Sequence, residues 1–521
     1  MRARLAWMMS LTLLACRRED AGEETPAAAR VALQTPSAVA SVSAQAVGLD
    51  GQFRGVGPTP ASGPRIFARA LRAWVQASPS SSSARLGYLR AGASSPTSEK
   101  AAGFDGCAGG WFPVKPQGFV CAGPTATRDE NDPVVRATRE HPPDFARKLP
   151  YIYGTVRRPG PLYSHLPSAE ELSAAEPDLE KRMEAWLDAG GEIGASYAQH
   201  VWLGRPGEPP DPAQAWSERQ SDTLPAALKG GLTPQIRLLD AQLTRGAVLD
   251  QMRPKVGYSL LYTLLHAGRR YGVATDLSVV PTDRLRPIQG SDFHGVEIGK
   301  DIVFPFAFVR REDAKFYRYE GQKLNEAGAA AYRRAIKLTG KQQFFRGRLH
   351  FETADGRWLS DRDGSRLDPA KKMPGWGKAG ERWLDINITK QTLVAYEGEK
   401  AVFATLVSSG EAGLEDHEQS TATKRGIFRI HTKHVSATMA SDEVGEEFEL
   451  RDVPYVQYFE EGYALHGAYW HDRFGTPKSH GCINLAPEDA RRLFFFTQPA
   501  VPEGWHGVLK PLTGTVVFVH Q

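Results

Sequence analysis

Leu465-His466-Gly467 and Ser479-His480-Gly481-Cys482-Ile483-Asn484 form the stretch around which the rest of the chain is organised, with the twelve residues 467–478 between His466 and Ser479. A cysteine attacks an amide only as a thiolate, and a free thiol with a pKa near ~8.5 is mostly protonated at neutral pH, so Cys482 needs an imidazole to take its proton. Two histidines qualify. If residues 480–482 are extended, His480 points to the same side as Cys482, whereas His466 would lie on a neighbouring strand and approach through space. Gly467 and Gly481 flank this chemistry, and a residue without Cβ lets backbone amides come close to a reacting carbonyl. The amides of Gly481 and Cys482 are therefore the natural donors to an oxyanion.

Moving outward, residues 368–380 are dense in Pro, Gly and Lys and mark a break, so a last domain is expected over 381–521. Its runs at Trp383–Ile388, Gln391–Tyr396, Ala401–Val407, Gly426–Ile430, Val453–Tyr458, Tyr463–His466 and Gly514–Val519 alternate as sheet residues do. Many short strands in one domain predict a β-sandwich or barrel. One helix is expected from Pro487, with Glu488 and Asp489 in its first turn and Ala490, Leu493 and Phe494 on its apolar side.

The order Trp383-Leu-Asp-Ile, Leu393-Val-Ala-Tyr396, Val407-Ser-Ser-Gly410, Thr423-Lys-Arg-Gly-Ile-Phe-Arg-Ile430, His466-Gly467 and Ser479-His-Gly-Cys-Ile-Asn484 resembles the catalytic domain of bacterial L,D-transpeptidases. The resemblance covers 381–521. It implies Cys482 as nucleophile and His466 as base, with the ring held by the Gly467 carbonyl. It also implies supporting or substrate-contacting roles for Ser479 and His480, a loop-fixing role for Asn484, peptidoglycan stem peptides as substrate, and no cofactor. Lys424 departs from the family's frequent proline, in a turn expected to lie away from the chemistry. A zinc site from His466, His471, His480 and Cys482 suits the glycine-rich setting poorly, so no metal is expected. His417, His431 and His434 read as surface or loop residues.

The chain as a whole has 521 residues, 41% of them apolar, and can bury several cores. Its formal charge of +4, from 64 basic and 60 acidic residues without a long basic run, argues against nucleic acid as a partner. Met1-Arg-Ala-Arg4, an apolar run too short to span a bilayer, and Leu13-Leu-Ala-Cys16 resemble a lipoprotein signal over 1–15 with Cys16 as the lipidated residue. Arg17 after that cysteine leans towards the outer membrane, facing the periplasm. Residues 16–63, rich in Ala, Ser, Thr and Pro, read as a disordered tether.

Residues 64–149, with strands at Leu86–Arg90 and Gly109–Val114, resemble a bacterial SH3-like module. Cys107 and Cys121, fourteen positions apart in an exported chain, are expected to form a disulfide. Residues 150–345 read as an α+β region with further SH3-like modules, including a capping box at Ser168–Glu171, a helix from Leu179 and a helix over Leu324–Leu338. Residues 346–380 read as a hairpin with an Asp-Gly turn and a linker. The fold class expected is mainly β: a C-terminal sandwich with one short packed helix, preceded by small barrels and an α+β middle.

Overall fold

The structure is a computed structural model describing residues 63–188, 219–221, 223–229, 236, 247–321, 323–441, 448–510 and 513–521. The expected signal segment, Cys16 and nearly all of the expected tether lie outside the described residues. Within them the chain is mainly β, and no helix is long and apolar enough to cross a membrane.

The last domain is a sandwich. One sheet has the order Val296–Glu297, Lys400–Leu406, Thr392–Glu397, Arg382–Asn387, Val516–His520, Gly426–Arg429. The facing layer contains Thr432–Ser441, Phe448–Glu460, Tyr463–Gly467, Ile483–Leu485 and Gly507–Leu509. Alternate residues of both layers, such as Leu384, Ile386, Val435, Tyr455, Leu465, Ile483 and Val517, meet in one core with Leu493 and Phe494 of the Pro487–Phe496 helix. That helix begins with Pro487 at its first turn, as expected.

Both outer faces of the sandwich are covered by the preceding regions. Behind the six-stranded sheet, Trp383 and Tyr396 pack with Phe306 and Phe308 of a second β unit, whose strands run from Phe306–Val309 to Gly364–Leu367. Behind the other layer, Val453, Val456, Ala464 and Cys482 share a core with Tyr153, Tyr262, Leu264 and Val273. These belong to a small barrel in which Ile152–Val156 pairs with Val256–His266 on one side and with Leu285–Ile288 on the other. Its own interior holds Ile152, Leu162, Leu260, Val280 and Leu285. The barrel is joined to the sandwich by parallel pairing of Val256 with Glu449.

Residues 63–127 form another small β unit, and the sandwich reaches into it. Trp505 lies in the unit's core with Ile66, Val75, Leu89 and Phe112, and its indole N–H donates to Lys115 O at 2.7 Å. A Cβ at Gly87 would meet Gly507 O at 2.2 Å, so only glycine permits this approach. Cys107 and Cys121 are bonded to each other.

Three expectations fail. Lys323–Ala329 and Ala335–Phe345 are strands, not the helix expected over Leu324–Leu338. Gly328 sits at φ +100, which an α-helix cannot hold, and Lys315 pairs with Glu326 across the strands at 2.6 Å. The expected boundary at 345/346 falls inside the hairpin of Ala335–Phe345 with Arg348–Thr353, so 306–367 is one unit. His434 is not a loop residue: it lies on the Thr432–Ser441 strand with its Nδ1 3.1 Å from Tyr88 Oη. The capping box at Ser168 and the helix at Leu179–Asp188 form as expected.

Candidate active site

Parallel pairing of Tyr463–Gly467 with Ile483–Leu485 builds the site. Its register sets Leu465 against Ile483, His466 against Asn484 and Gly467 against Leu485. Side chains alternate along a strand, so Leu465, Ile483 and Leu485 enter the sandwich core while Ala464 and Cys482 turn to the opposite face. His466 and Asn484 share that opposite face. His466 and Cys482, sixteen positions apart in sequence, thus lie one diagonal step apart on a sheet.

The loop carrying Cys482 is tied down on both sides. Ser408 exchanges backbone hydrogen bonds with Asn484 at 2.9 Å in each direction, and Ser409 O accepts from Lys478 N and Ser479 N. Gln391 holds Ser409 from behind, accepting from its N–H at 2.8 Å and donating to its Oγ at 2.6 Å. Ser479 Oγ–H donates to Cys482 O at 2.5 Å, and Ser479 Oγ accepts from Gly481 N at 3.1 Å. The Gly481 amide, expected to face a reacting carbonyl, is therefore engaged inside the loop. Gly481 sits at φ +123 and a Cβ there would meet Tyr463 Cε1 at 2.9 Å, so this position requires glycine.

Thr423 corrects another expectation. Its Oγ1 donates to Gly481 O at 2.7 Å and accepts from Gly410 N, so the turn that begins there abuts the loop that carries Cys482. Lys424, the departure in that turn, pairs with Glu460 at 2.8 Å.

Cys482 is not disulfide-bonded, is 3% exposed, and its Sγ lies 3.7 Å from Gly462 O. His466 is 2% exposed. Burial lowers its imidazole to about 4, opposed by the Gly467 backbone beside the ring and aided by nearby His471. Its Nδ1 completes no hydrogen bond of normal geometry. The ring of Trp470 lies 5.6 Å away, tilted by 31°. His480, half-buried, packs its ring 5.5 Å from Phe448.

Asn484 is 2% exposed, with one end of its amide 2.9 Å from His471 Nε2 and the other buried without a partner. His471 instead of joining a metal set is thus a partner of Asn484, and among the described residues no three His, Cys, Asp or Glu side chains converge as a metal site. Trp470, Thr423, Ser408 and Ser409 are the site residues that sequence reasoning left out of the chemistry. Of the remaining histidines, His417 Nδ1 lies 3.5 Å from Tyr463 Oη, at the rim of the cysteine loop.

Residues 381–519 match the family model of the L,D-transpeptidase catalytic domain. Among solved structures, an Enterococcus faecium L,D-transpeptidase mutant is 23% identical over 27% of this chain and 50% of its own, with a TM-score of 0.21. An L,D-transpeptidase from Stackebrandtia nassauensis is 28% identical over 30% of this chain and 58% of its own, with a TM-score of 0.19. One from Mycobacterium smegmatis is 18% identical over 35% and 77%, with a TM-score of 0.22. The chain spans about half the length of the first two. No curated protein matches it.

Proposed function

We propose that the protein is an exported peptidoglycan L,D-transpeptidase working by two-step cysteine acyl transfer. The observation that carries this reading is the placement of Cys482 and His466 on one face of adjacent parallel strands, within the domain that matches the family. An imidazole with a pKa of about 4 is neutral at working pH and free to accept the thiol proton. The thiolate attacks the carbonyl of the third residue of a stem tetrapeptide. The tetrahedral oxyanion takes its donors from the backbone around Cys482, whose geometry Ser479 and Thr423 hold. Collapse breaks the bond to terminal D-alanine, whose amine leaves with the proton from His466, and a thioester remains on Cys482. A side-chain amine of a second stem then attacks the thioester, gives its proton back through His466 to the departing thiol, and forms a 3,3 cross-link.

The Cys107–Cys121 bond supports an oxidising compartment. We place the protein on the periplasmic face, anchored through lipid on Cys16, with the units at 64–149 and 152–288 as SH3-like modules between the tether and the catalytic domain. Incubating the purified protein with disaccharide tetrapeptide should release D-alanine and yield dimers, and Cys482→Ala should lower both by at least ~10³-fold. Tripeptide without dimers would mean that water is the acceptor; no D-alanine release would overturn the reading.

A further inference from the structure

The segment between the two halves of the motif is held from outside the catalytic domain. Tyr332 Oη donates to Phe474 O at 3.2 Å, Arg333 donates to Asp472 O, and its guanidinium pairs with the Asp472 carboxylate at 2.7 Å. The same guanidinium lies 4.4 Å from the Tyr332 ring centroid, 5.5 Å from that of Phe293 and 5.9 Å from that of Phe474. Both residues belong to the 306–367 unit, and Arg333 sits at φ +62, a conformation an arginine adopts only where its surroundings impose it. Arg333 N–H donates to Val309 O at 2.7 Å, which locks that backbone to the unit's first strand.

What this clamp presents inward is His471, packed 5.1 Å from the Phe474 ring. The Arg473 backbone N–H donates to His471 Nδ1 at 3.2 Å, so Nδ1 carries no proton and a neutral ring must carry it on Nε2. Burial, then Lys478, Arg333 and Arg473, lower this imidazole to about 4 against the opposing Asp472, which keeps it neutral. Nε2–H is a donor, and two donors cannot face each other across 2.9 Å; the Asn484 end at that distance is therefore its carbonyl oxygen. The amide NH2 then occupies the end that is buried and unpartnered, on the face shared with His466.

We propose that the 306–367 unit is part of the catalytic apparatus: Tyr332 and Arg333 fix the 471–474 turn so that His471, protonated on Nε2, turns the Asn484 NH2 towards the face carrying Cys482 and His466, as a hydrogen-bond donor to the acyl carbonyl group of a bound stem peptide. Asn484 would touch substrate; His471, Tyr332 and Arg333 are positioning residues. The substrate named rests on the acyl-transfer reading, whereas the tautomer and the clamp do not.

Two arms test this on the whole protein. In long-range ¹H–¹⁵N spectra of histidine-labelled protein, with the His471 signals identified by their absence in His471→Gln, His471 should remain the neutral Nε2–H form from pH 8 to 5. An Nδ1–H tautomer, or a charged ring in that range, would overturn the proposal. In the kinetic arm, Asn484→Ala and His471→Ala should each slow acylation of Cys482 by tetrapeptide by about 10- to 100-fold, and the double variant should be no slower than either. Arg333→Ala should slow it by about 10-fold and Arg333→Lys should recover part of that, while alkylation of Cys482 by iodoacetamide stays unchanged in all of them. Additive losses in the double variant, or equal losses in alkylation and acylation, would reduce these residues to general structural support and sink the idea. If wild type is not acylated at all, the function reading has failed; the tautomer, and its loss in Arg333→Ala, then decide this proposal alone.

Discussion

Two buried polar clusters sit behind the same layer of the sandwich, and they are built in opposite ways. At Asp452, every side-chain partner is in place: Arg90 from the first β unit grips the carboxylate, Ser259 and Thr275 donate from the barrel, the latter at 2.5 Å, and Ser436 donates at 2.8 Å. Burial alone would raise this carboxyl, but Arg90 and the hydroxyls hold it well below the usual range. Around Cys482, in contrast, His466 Nδ1 has only the Gly467 backbone beside it, outside normal hydrogen-bond geometry, and one end of Asn484 is buried and unpartnered. A satisfied cluster fixes three regions of chain in one arrangement; an unsatisfied one keeps hydrogen-bonding capacity for something that arrives. The first ties regions of the chain together, and the second is the candidate site.

The sharpest way to break this contrast is Asp452→Ala. It leaves Arg90 buried and uncompensated, so unfolding by denaturant should show a loss of about 3–5 kcal/mol. A loss under about 1 kcal/mol would mean that the cluster does not tie the regions together.

The next effect is smaller and depends on pH. The folded His466 pKa of about 4 lies below its unfolded value of about 6.5, so the folded protein binds fewer protons. The stability this burial contributes is whole above about pH 6.5 and is lost as pH falls towards 4, on the order of 3 kcal/mol. Asp489, raised to about 6 by burial against its bonds to Thr405 and Gly295 N, acts in the opposite sense and adds stability as pH falls through that value. The His466 contribution is therefore read as the difference between wild type and His466→Gln across pH 7 to 4, and a flat difference would contradict it. The smallest effect is expected for Asn484→Ala. Because half of that amide is already unpartnered and only its bond to His471 is lost, stability should fall by about 1–2 kcal/mol, although acylation slows. A loss as large as that of Asp452→Ala would erase the distinction between the clusters.

The sandwich was legible because its strands alternate and its cysteine and histidine stand in glycine-flanked motifs. The strand Thr432–Ser441 was not. Lys433 within it is fully buried and donates to Phe494 O and to Thr497 O, where it caps the end of the last helix, so a lysine occupies an inward position and hides the alternation. The way the covering units join the sandwich escaped for a different reason: their strands are short and pair over long separations, as Gly87 does with Val508, and no local pattern records such partners. The alanine-rich stretch after Lys323 misled because cross-strand pairing overrides helix propensity. In the site, residue types named Cys482 and two possible bases, His466 and His480, and the family resemblance singled out His466, Ser479 and Asn484. Trp470, Thr423 and the Tyr332–Arg333 clamp could not, since their roles come from contacts between distant segments.

The central claim is that Cys482 is an acylating nucleophile activated by His466. Its most direct measurement is the intact mass of the protein after brief exposure to disaccharide tetrapeptide, for wild type, Cys482→Ala and His466→Ala. The account predicts an adduct of the substrate less D-alanine on wild type, mapped to Cys482 and absent from both variants, with all three equally folded. A wild type that stays unmodified, or an adduct that persists without Cys482, would contradict it.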